Sequence, residues 1–368
     1  MMSVFEAAVA PQGLKLTVLN VAYPFAPVGD KAVGGAEHIL GDLDRALLGQ
    51  GHRSLVMACE GSNAAGVLYS SPTPEGLLDG SDRTWFRSRS QAVLDRVLRT
   101  EQVDLIHMHG QDFHEYTLPR HIPVLVTLHM PICWYPKNVW SLCGQNVWFQ
   151  CVSRSQRAAC PPELRDAMLI TNGVSLPQVR EKKRDFAMAL GRICPEKNVH
   201  EALEAGTKAG VPVLLGGEVF PSRTHMEYYH HRVEPLLQCA QTAVDHRFLG
   251  PLGPGKKERL LGQAKCLLHP TLTPESSSLV AMEALAGGTP VIAYRSGALP
   301  EIVEDGVTGF LVNNVEEMAG AIQRLDEIRP EDCRAAAEKR FSKERMVREY
   351  MGVYRSLAAG GRSQRASA

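Results

Sequence analysis

The amino-acid sequence predicts an α/β protein made of two doubly wound parallel-sheet domains. Two observations lead to this prediction: short apolar runs alternate with helical patterns, and the alternation begins anew at about residue 186. The length of 368 residues also suits about two domains. Between them, over 176–184, apolar periodicity lapses and charged residues accumulate, as expected at a domain boundary.

The first half contains five predicted strands and one clear helix. The helix covers 36–51, where Ile39, Leu43 and Leu47 recur at the spacing of one buried helical face. It follows the first strand and the glycine pair at 34–35. The strands are predicted at 16–21, 52–58, 104–107, 124–128 and 148–152.

The second half repeats this pattern. Helices are predicted at 198–209, 256–264 and 277–286, and the chain from 316 to about 357 is also predicted to be helical. The strands are predicted at 186–190, 213–215, 247–249, 266–269, 290–293 and 308–311. Ligands of doubly wound sheets bind beyond the carboxyl ends of the strands. We therefore expect the site in a cleft where the strand ends of the two Rossmann-like domains face each other.

The predicted organisation has five parts. A flexible tail at 1–14 precedes an N-terminal Rossmann-like domain at 15–177 and a C-terminal one at 178–342. A helix at 343–357 follows. The last residues, 358–368, are small, polar and basic, and we expect them to be disordered.

Composition and charge argue against several classes of function. The formal net charge is zero and the pI about 7.2, so the charge balance does not point to nucleic acid as a partner. No apolar run approaches the roughly 20 residues that span a bilayer, and the start lacks a signal-peptide pattern. We therefore expect a cytoplasmic protein with reduced cysteines. Cys133, Cys143, Cys151 and Cys160 lack the close pairs of a zinc site.

The segment 270–288 carries the strongest functional signal. Glu275 lies where a loop becomes a helix, and Glu283 follows two turns later. A helix N-terminus suits a diphosphate, whereas carboxylates accept hydrogen bonds from sugar hydroxyls. The alternative is that Glu275 caps the helix and Glu283 is a structural acid. Further hydrogen-bond donors at the helix start come from Ser276, Ser277 and Ser278.

Two cations and a glycine pair occur at other strand ends. Arg192 and Lys197 follow the strand at 186–190, and both suit a pyrophosphate whose charge grows as it leaves. Gly34 and Gly35 would let the backbone approach a phosphate or a sugar. Solvated loop charges and a simple tight turn are the alternative interpretations.

Histidines cluster in the first half. His129 is the best placed for a reacting centre, because it ends a strand and leads into a loop. His107, His109 and His114 are a candidate metal set, but no carboxylate or cysteine follows at a suitable spacing. The D-x-D pattern at 42–44 lies inside a helix, where its two carboxylates point to different faces, so we discount it.

Together these motifs resemble the retaining glycosyltransferases of family 4, which have the GT-B fold. The similarity covers about residues 15–355, and the motifs keep the family's order and spacing. They are GGAE at 34–37, GH at 51–52, DLIHMH at 104–109, VTLH at 126–129, VS at 152–153, NGV at 172–174, GR and EK within 191–197, the two glutamates at 275 and 283, GGTPVIA at 287–293, PEIVEDGVTGFLV at 300–312 and RFS at 340–342.

The resemblance implies that a sugar passes from a UDP- or GDP-linked donor to an acceptor hydroxyl, with retention and without a metal or other cofactor. Arg192 and Lys197 would hold the diphosphate. Glu283 would bind the ribose hydroxyls and Glu275 the transferred sugar, while His129 would contact the sugar or the reaction centre. Further donor contacts would come from Gly34, Gly35, Ser276, Ser277, Ser278, Leu279 and Val280.

The acceptor is expected on the N-terminal domain and would be a sugar, a lipid-linked molecule or a small molecule. We expect contacts from His109, Trp134 and Tyr135, because aromatic faces suit sugar rings. The basic, aromatic stretch 82–91 would suit an anionic acceptor or a weak peripheral contact with the inner membrane face. Packing of the aromatic loop and a solvated helix start are the alternatives. The final helix would cross back onto the N-terminal domain.

The chain departs from the family pattern at three places, the first of which is Ser175 after the NGV motif, where Asp is commoner. Serines stand at 276–278, where the family usually has a Pro-Phe-Gly or Gly-Phe-Gly stretch, and Ser296-Gly297 stands where a glycine pair is usual. Alternative functions are a sugar-nucleotide epimerase or phosphorylase of the same fold, or a non-catalytic sugar-nucleotide-binding protein. No G-x-G-x-x-G follows the first strand, which argues against a nicotinamide dehydrogenase.

Overall fold

The computed structural model describes residues 15–29, 32, 34–72, 80–238 and 244–366. The predicted flexible tail at 1–14 therefore lies outside the described residues. The chain divides into two compact units, one of Met1–Thr171 with Met346–Ala368 and one of Asn172–Arg345. Each unit contains one parallel sheet with helices, as the alternating sequence pattern predicts.

The first unit has a seven-stranded parallel sheet in the order β3-β2-β1-β4-β5-β6-β7. Its helices are α1 (Gly35–Gly49), α2 (Gly80–Thr100) and α3 (Arg154–Ala158). The strands are β1 (Thr17–Val21), β2 (Arg53–Cys59), β3 (Val67–Ser71), β4 (Leu105–Met108), β5 (Val124–Leu128), β6 (Val147–Cys151) and β7 (Met168–Leu169). The five predicted strands are all present. The sequence did not predict β3, in which only Ser71 is buried, or β7, which has only two residues.

The second unit has a six-stranded parallel sheet in the order β10-β9-β8-β11-β12-β13. Its strands are β8 (Ala187–Leu190), β9 (Val213–Gly216), β10 (Arg247–Gly250), β11 (Leu267–His269), β12 (Val291–Tyr294) and β13 (Gly309–Val312). Its helices are α4 (Val199–Ala209), α5 (Arg223–Tyr228), α6 (Glu234–Leu237), α7 (Pro254–Gln263), α8 (Leu279–Ala286), α9 (Leu299–Ile302), α10 (Val315–Ile322) and α11 (Pro330–Phe341). All six predicted strands are present, so the predicted pair of doubly wound sheets is confirmed.

The unit boundary differs from the predicted one at 177/178. The Val174 amide donates to the Phe341 carbonyl (2.8 Å), and the Lys343 amide donates to the Val174 carbonyl (3.0 Å). These bonds tie the segment from Asn172 onward to the second unit. The predicted boundary at 342/343 similarly lies a few residues before the observed one at 345/346.

The last helix, α12 (Lys343–Ala366), belongs to the first unit from Met346 onward. Tyr350 and Tyr354 are fully buried there. The tail at 358–368 was expected to be disordered, but residues 358–366 continue helix α12, and residues 367–368 lie outside the described residues. The buried face of the helix reaches at least Gly361, since Ala358 is 1% exposed and a Cβ at Gly361 would lie 2.8 Å from the Pro123 ring.

Among the described residues, no helix is both long enough and apolar enough to cross a membrane.

Candidate functional site

Strands β8 and β11 lie side by side at the centre of the second sheet. The chain leads from β8 to β9 on one side of this pair, and from β11 to β12 on the other side. This switch point is where doubly wound sheets bind ligands. The loops that leave both strands meet there. The Leu272 amide donates to the Glu196 carbonyl (2.9 Å), and the Thr271 hydroxyl donates to the same oxygen (3.2 Å). The structure therefore brings together the two segments that the sequence singled out, 191–197 and 270–288.

Lys197 and Glu275 form an ion pair at this point, between Nζ and Oε1. The Glu275 side chain is only 12% exposed, and His269 Nε2 lies 3.4 Å from Oε1. Burial opposes the charged carboxylate, but the Lys197 charge and the His269 hydrogen bond outweigh it and lower the pKa of Glu275 to about 2. Glu275 is thus an ionised hydrogen-bond acceptor throughout the neutral pH range.

Arg192 lies on a tightly packed loop. Gly217 has a φ of +149°, and a Cβ there would overlap the Gly191 carbonyl oxygen, so only glycine allows this approach. The Ile193 amide donates to the Glu218 carbonyl (2.9 Å). The Arg192 Cζ atom lies 5.9 Å from the centre of the Phe220 ring. Within the part of the chain that the structure describes, the guanidinium makes no ion pair, which leaves its donors available to a ligand.

Ser278, not Glu275, caps helix α8. The Ala281 amide donates to Ser278 Oγ (3.4 Å), which also lies 3.3 Å from His269 Nε2. The prediction that Glu275 could cap this helix is therefore wrong, because the helix begins at Leu279, three residues after the position that a cap at Glu275 would require. The buried hydroxyls of Ser276 and Ser277 have no hydrogen-bond partner among the described residues. The start of α8 therefore offers free hydroxyls as well as N–H groups.

Glu283 is paired across two helices. Lys257 Nζ on α7 donates to Glu283 Oε1 at 2.6 Å, and both side chains are about three-quarters buried. Sequence reasoning missed Lys257 and His269. The signals that could have found them are the Lys-Lys pair within the predicted helix 256–264 and a histidine that ends the predicted strand 266–269.

Gly297 supports the Glu275 backbone. Its φ is +53°, and a Cβ would overlap the backbone of Glu275. The Ala298 amide donates to the Glu275 carbonyl (2.7 Å), and the Ser296 hydroxyl donates to the Thr273 carbonyl (2.8 Å). The departure to Ser296-Gly297 thus keeps the glycine at the position that needs one.

In the first unit, the glycine pair stands at the start of α1. Gly34 precedes the helix in an extended conformation, and Gly35 is its first residue. A Cβ at Gly34 would overlap the Glu37 carboxylate, which is buried in the first turn. Burial raises the pKa of Glu37. A side chain at Gly34 would therefore have to displace the Glu37 carboxylate.

His109 and His129 lie at the ends of β4 and β5, with His109 Nδ1 and His129 Nε2 3.2 Å apart. His109 Nε2 is buried and has no hydrogen-bond partner among the described residues. Burial lowers the pKa of His129 to about 3 and the pKa of His109 well below its usual range. Both imidazoles are therefore neutral at physiological pH.

The candidate set of His107, His109 and His114 does not come together as a metal site. Both ring nitrogens of His107 are occupied, one by the Tyr354 hydroxyl and one by the Thr127 hydroxyl, each at 2.7 Å. His114 instead lies 3.8 Å from the Glu115 carboxylate.

The D-x-D pattern in α1 also has a structural explanation. Asp44 is buried and accepts from the Ala65 amide (2.7 Å), while Asp42 pairs with Arg45 (2.8 Å).

The aromatic candidates separate by exposure. Trp134 is 48% exposed, whereas Tyr135 is 6% exposed and packs against Phe113 and Trp140. The Tyr135 hydroxyl accepts from the Met130 amide (3.2 Å) and so fixes the loop after β5. The expected contact of Tyr135 with an acceptor is not supported, because the ring is part of the core. Within the basic stretch 82–91, which lies in α2, Trp85 is 46% exposed.

Two family models match the chain. Residues 33–163 match "Glycosyltransferase Family 4", and residues 176–340 match "Glycosyl transferases group 1". A D-inositol 3-phosphate glycosyltransferase of Saccharomonospora viridis is 38% identical over 222 residues, which are 52% of this chain and 51% of that protein. The chain spans about half the length, or less, of the curated relatives that it matches.

Solved structures show the same fold. Sucrose-phosphate synthase from Thermosynechococcus elongatus superimposes with a TM-score of 0.75 and 19% identity, over 94% of this chain and 100% of that one. HepE of Anabaena, solved in complex with UDP and glucose, has a TM-score of 0.67 and 18% identity, over 92% and 99% of the two chains. At these identities the similarity concerns the fold alone.

Proposed function

Because this chain belongs to the family 4 glycosyltransferases with the GT-B fold, we propose that it transfers a sugar from a nucleoside-diphosphate donor to an acceptor hydroxyl. The observation that carries the proposal is the arrangement at the switch point between β8 and β11. There Arg192, the Lys197–Glu275 pair and the start of α8 lie on two connected loops.

The donor diphosphate is held by Arg192 and Lys197. A guanidinium without an ion pair in the described structure can grip phosphate oxygens with two donors, and an ammonium adds a mobile charge. The N-terminus of α8, with backbone N–H groups from Ser277 to Val280, adds the positive end of a helix dipole. These groups stabilise the charge that develops on the leaving diphosphate.

The two glutamates bind hydroxyl groups of the donor. Glu275 contacts the transferred sugar and Glu283 the ribose, as the family resemblance implies. A carboxylate with a pKa of about 2 accepts hydrogen bonds but carries no proton to give, so Glu275 is not a general acid. The unpartnered hydroxyls of Ser276 and Ser277 supply further contacts with the donor.

The first unit contributes Gly34, Gly35, His109 and His129. Gly35 approaches the donor phosphate, and His129 contacts the transferred sugar or the reaction centre. A neutral His129 can donate one hydrogen bond and accept another, which suits orientation of a hydroxyl better than proton transfer. His109 and the exposed Trp134 remain the proposed contacts with the acceptor.

The chemistry proceeds with retention by a front-face route. The acceptor oxygen forms a bond to the anomeric carbon on the side from which the diphosphate leaves, and a departing phosphate oxygen takes the acceptor proton. No group in this scheme has to become a covalent nucleophile. Positioning and charge stabilisation by the protein are then the source of the rate enhancement.

The donor class is a UDP- or GDP-sugar. The UDP complex of HepE favours testing UDP-sugars first, and the inositol-phosphate relatives favour a polyol phosphate among the first acceptors. Sugars and lipid-linked acceptors complete the acceptor panel. We place the protein in the cytoplasm, with a weak peripheral membrane contact through the exposed Trp85 region of α2.

A thermal-shift screen of UDP-, GDP- and ADP-sugars tests the proposal. The true donor at 100 times its Kd should stabilise the fold by about 2.7 kcal/mol, which is visible as a rise in Tm. The acceptor panel is then assayed with that donor, and the anomeric configuration of the product is read by NMR. Release of a modified free nucleotide sugar without an acceptor would instead indicate an epimerase, and inversion would contradict the front-face route.

We also propose that transfer needs no metal, because Arg192, Lys197 and the helix dipole supply the positive charge. Activity should then survive dialysis against EDTA without loss. A loss that Mg²⁺ or Mn²⁺ restores would contradict this part of the proposal.

A further inference from the structure

Three side chains of metal-binding types meet beside the loop that follows β8. Cys194 and Glu196 lie on that loop, and His225 lies in the first turn of α5. One potential ligand atom of each, a thiol sulfur, a carboxylate oxygen and a ring nitrogen, all lie within 4.8 Å of one another. Across the described ranges, no other group of three or more His, Cys, Asp or Glu side chains does this. This cluster could not be predicted from the sequence, because the helix that carries His225 has no clear sequence pattern.

Burial of one side chain and backbone hydrogen bonds of the other two residues position this cluster. Cys194 is buried. His225 is anchored through its backbone, since its amide donates to the hydroxyl of Ser222, the residue that caps α5 (3.4 Å). Glu196 is exposed, but its carbonyl accepts two hydrogen bonds from the loop after β11. The backbone of each exposed or partly exposed member is therefore held close to the buried Cys194.

One ring nitrogen of this cluster lacks a hydrogen-bond partner in the described part of the chain. His225 Nδ1 is buried and has no hydrogen-bond partner among the described residues. The Cys194 thiol donates to the Arg192 carbonyl (3.7 Å). Burial raises the pKa of Cys194, and the Glu196 carboxylate adds to this. A cation that replaced the thiol proton would give the imidazole nitrogen a partner and keep the carboxylate bonded.

The donor set selects the type of ion. Thiolate, imidazole and carboxylate together suit Zn²⁺, and three protein ligands leave a fourth tetrahedral position for water. Zinc–ligand bonds of about 2.0–2.3 Å would bring neighbouring ligand atoms to about 3.3–3.8 Å, so the side chains must close by about 1 Å. The thiolate and the carboxylate supply two negative charges. The Arg192 guanidinium, which acts on both, is the nearby positive charge that opposes the ion.

We propose that Cys194, Glu196 and His225 form a binding site for a single divalent ion of the zinc type. Binding forms a bond from the metal to Cys194 Sγ, and the thiol proton leaves to solvent; no electron transfer is involved. The ligands of this site are distinct from Arg192, Lys197, Glu275 and the start of α8, so the ion takes none of the groups that are proposed to hold the donor. Its effect is structural, since the ion ties the loop after β8 to helix α5.

Cobalt substitution in the full-length, metal-free protein tests the proposal. Co²⁺ bound to a thiolate gives charge-transfer absorption in the near ultraviolet, and one equivalent should saturate it and be displaced by one equivalent of Zn²⁺. Competition with a chromophoric chelator then gives the zinc affinity. Cys194→Ser should abolish the thiolate band, and His225→Ala should weaken zinc binding at least about 10-fold.

Two comparisons keep the test decisive. Cys133→Ser, at an exposed cysteine of the first unit, should leave both the band and the affinity unchanged. Zinc should raise the Tm of the wild-type protein but not of His225→Ala, a partly exposed position whose replacement leaves the core intact. The proposal is overturned if wild-type protein shows no thiolate band, if Cys194→Ser retains it, or if His225→Ala binds zinc as tightly as wild type.

Discussion

Single side chains at the switch point of the second unit carry most of the functional argument. Lys197 is neutralised by Glu275 before any donor arrives. An incoming diphosphate must therefore share Lys197 with this carboxylate, while the Arg192 guanidinium is available without that competition. The ionised Glu275 also keeps Lys197 in position, so the pair prepares the cation for its ligand rather than removing it from the site.

Loss of either cation should lower the rate of transfer. Arg192→Ala and Lys197→Ala are each expected to reduce kcat by about 10²–10³, because each removes a donor to the charge on the leaving diphosphate. Steady-state kinetics with the donor found in the thermal-shift screen measure the effect. Lys265→Ala is the matched control, since Lys265 forms a surface pair with Asp185 at 2.8 Å in the same unit. Normal turnover by both cation variants would contradict the assignment.

Asp112 gives the first unit a pH-dependent stability. This residue lies in the loop between β4 and β5 and is 6% exposed. Burial raises its pKa from 3.8 to about 7, with a smaller contribution from Glu115. Between about pH 4 and pH 7 the folded state therefore holds a proton that the unfolded state has released. The free energy of unfolding should fall as pH rises through this window and level off above it.

Asp112→Asn should remove this dependence, since the amide does not titrate. The wild-type protein is expected to lose up to about 4 kcal/mol more than the variant between pH 4 and pH 7.5. Urea unfolding at several pH values measures the difference, and Asp185→Asn at an exposed position of the second unit is the control. Equal slopes for wild type and Asp112→Asn would show that Asp112 is ionised in the folded state.

At the level of helices and strands, the elements predicted correctly are those that a local sequence pattern determines. Strand β5 has the predicted bounds, 124–128, because a continuous apolar run between polar segments defines a buried strand. The start of α8 was predicted two residues early. Three consecutive serines can each cap a helix, and only the contact between Ser278 and His269 selects one of them.

Pairings between elements could not be predicted from the sequence. Lys257 meets Glu283 because α7 and α8 lie side by side, although 26 residues separate them. Tyr135 lies in a loop whose aromatic composition is typical of a binding site, but its ring points inward and packs against Phe113. The Lys197–Glu275 contact spans 78 residues, and strand order alone brings it about.

Helix α12 completes the core of the first unit through a buried polar network. The Tyr354 hydroxyl and the Thr127 hydroxyl each lie 2.7 Å from one ring nitrogen of His107. Tyr354→Phe would leave His107 Nδ1 buried without a partner, so it should destabilise the protein by about 1–3 kcal/mol. Denaturant unfolding measures the loss. Tyr229→Phe, at a half-buried position in the second unit, should change stability by less than about 0.5 kcal/mol. Equal effects of the two variants would contradict a structural role for this network.

For the molecule as a whole, the repeated alternation of strand and helix patterns in the sequence predicts two parallel sheets. In each sheet the switch point lies at the strand that comes first in the chain. The division of the last helix does not follow from this alternation, because α12 begins within the second unit and belongs to the first from Met346 onward. The stretch from 358 was predicted to be disordered from its composition alone. Its small residues instead allow close packing, as the approach of Gly361 to Pro123 shows.

The proposed binding of the donor diphosphate by Arg192 and Lys197 is tested most directly by measuring how much the second phosphate contributes to nucleotide affinity. Isothermal titration would compare the nucleoside diphosphate with the monophosphate of the base found in the donor screen. Wild type and Lys265→Ala should bind the diphosphate at least about 10-fold more tightly, equivalent to about 1.4 kcal/mol. The ratio should fall to near one in the Arg192→Ala/Lys197→Ala double variant. An unchanged ratio in that variant would show that the diphosphate is held elsewhere.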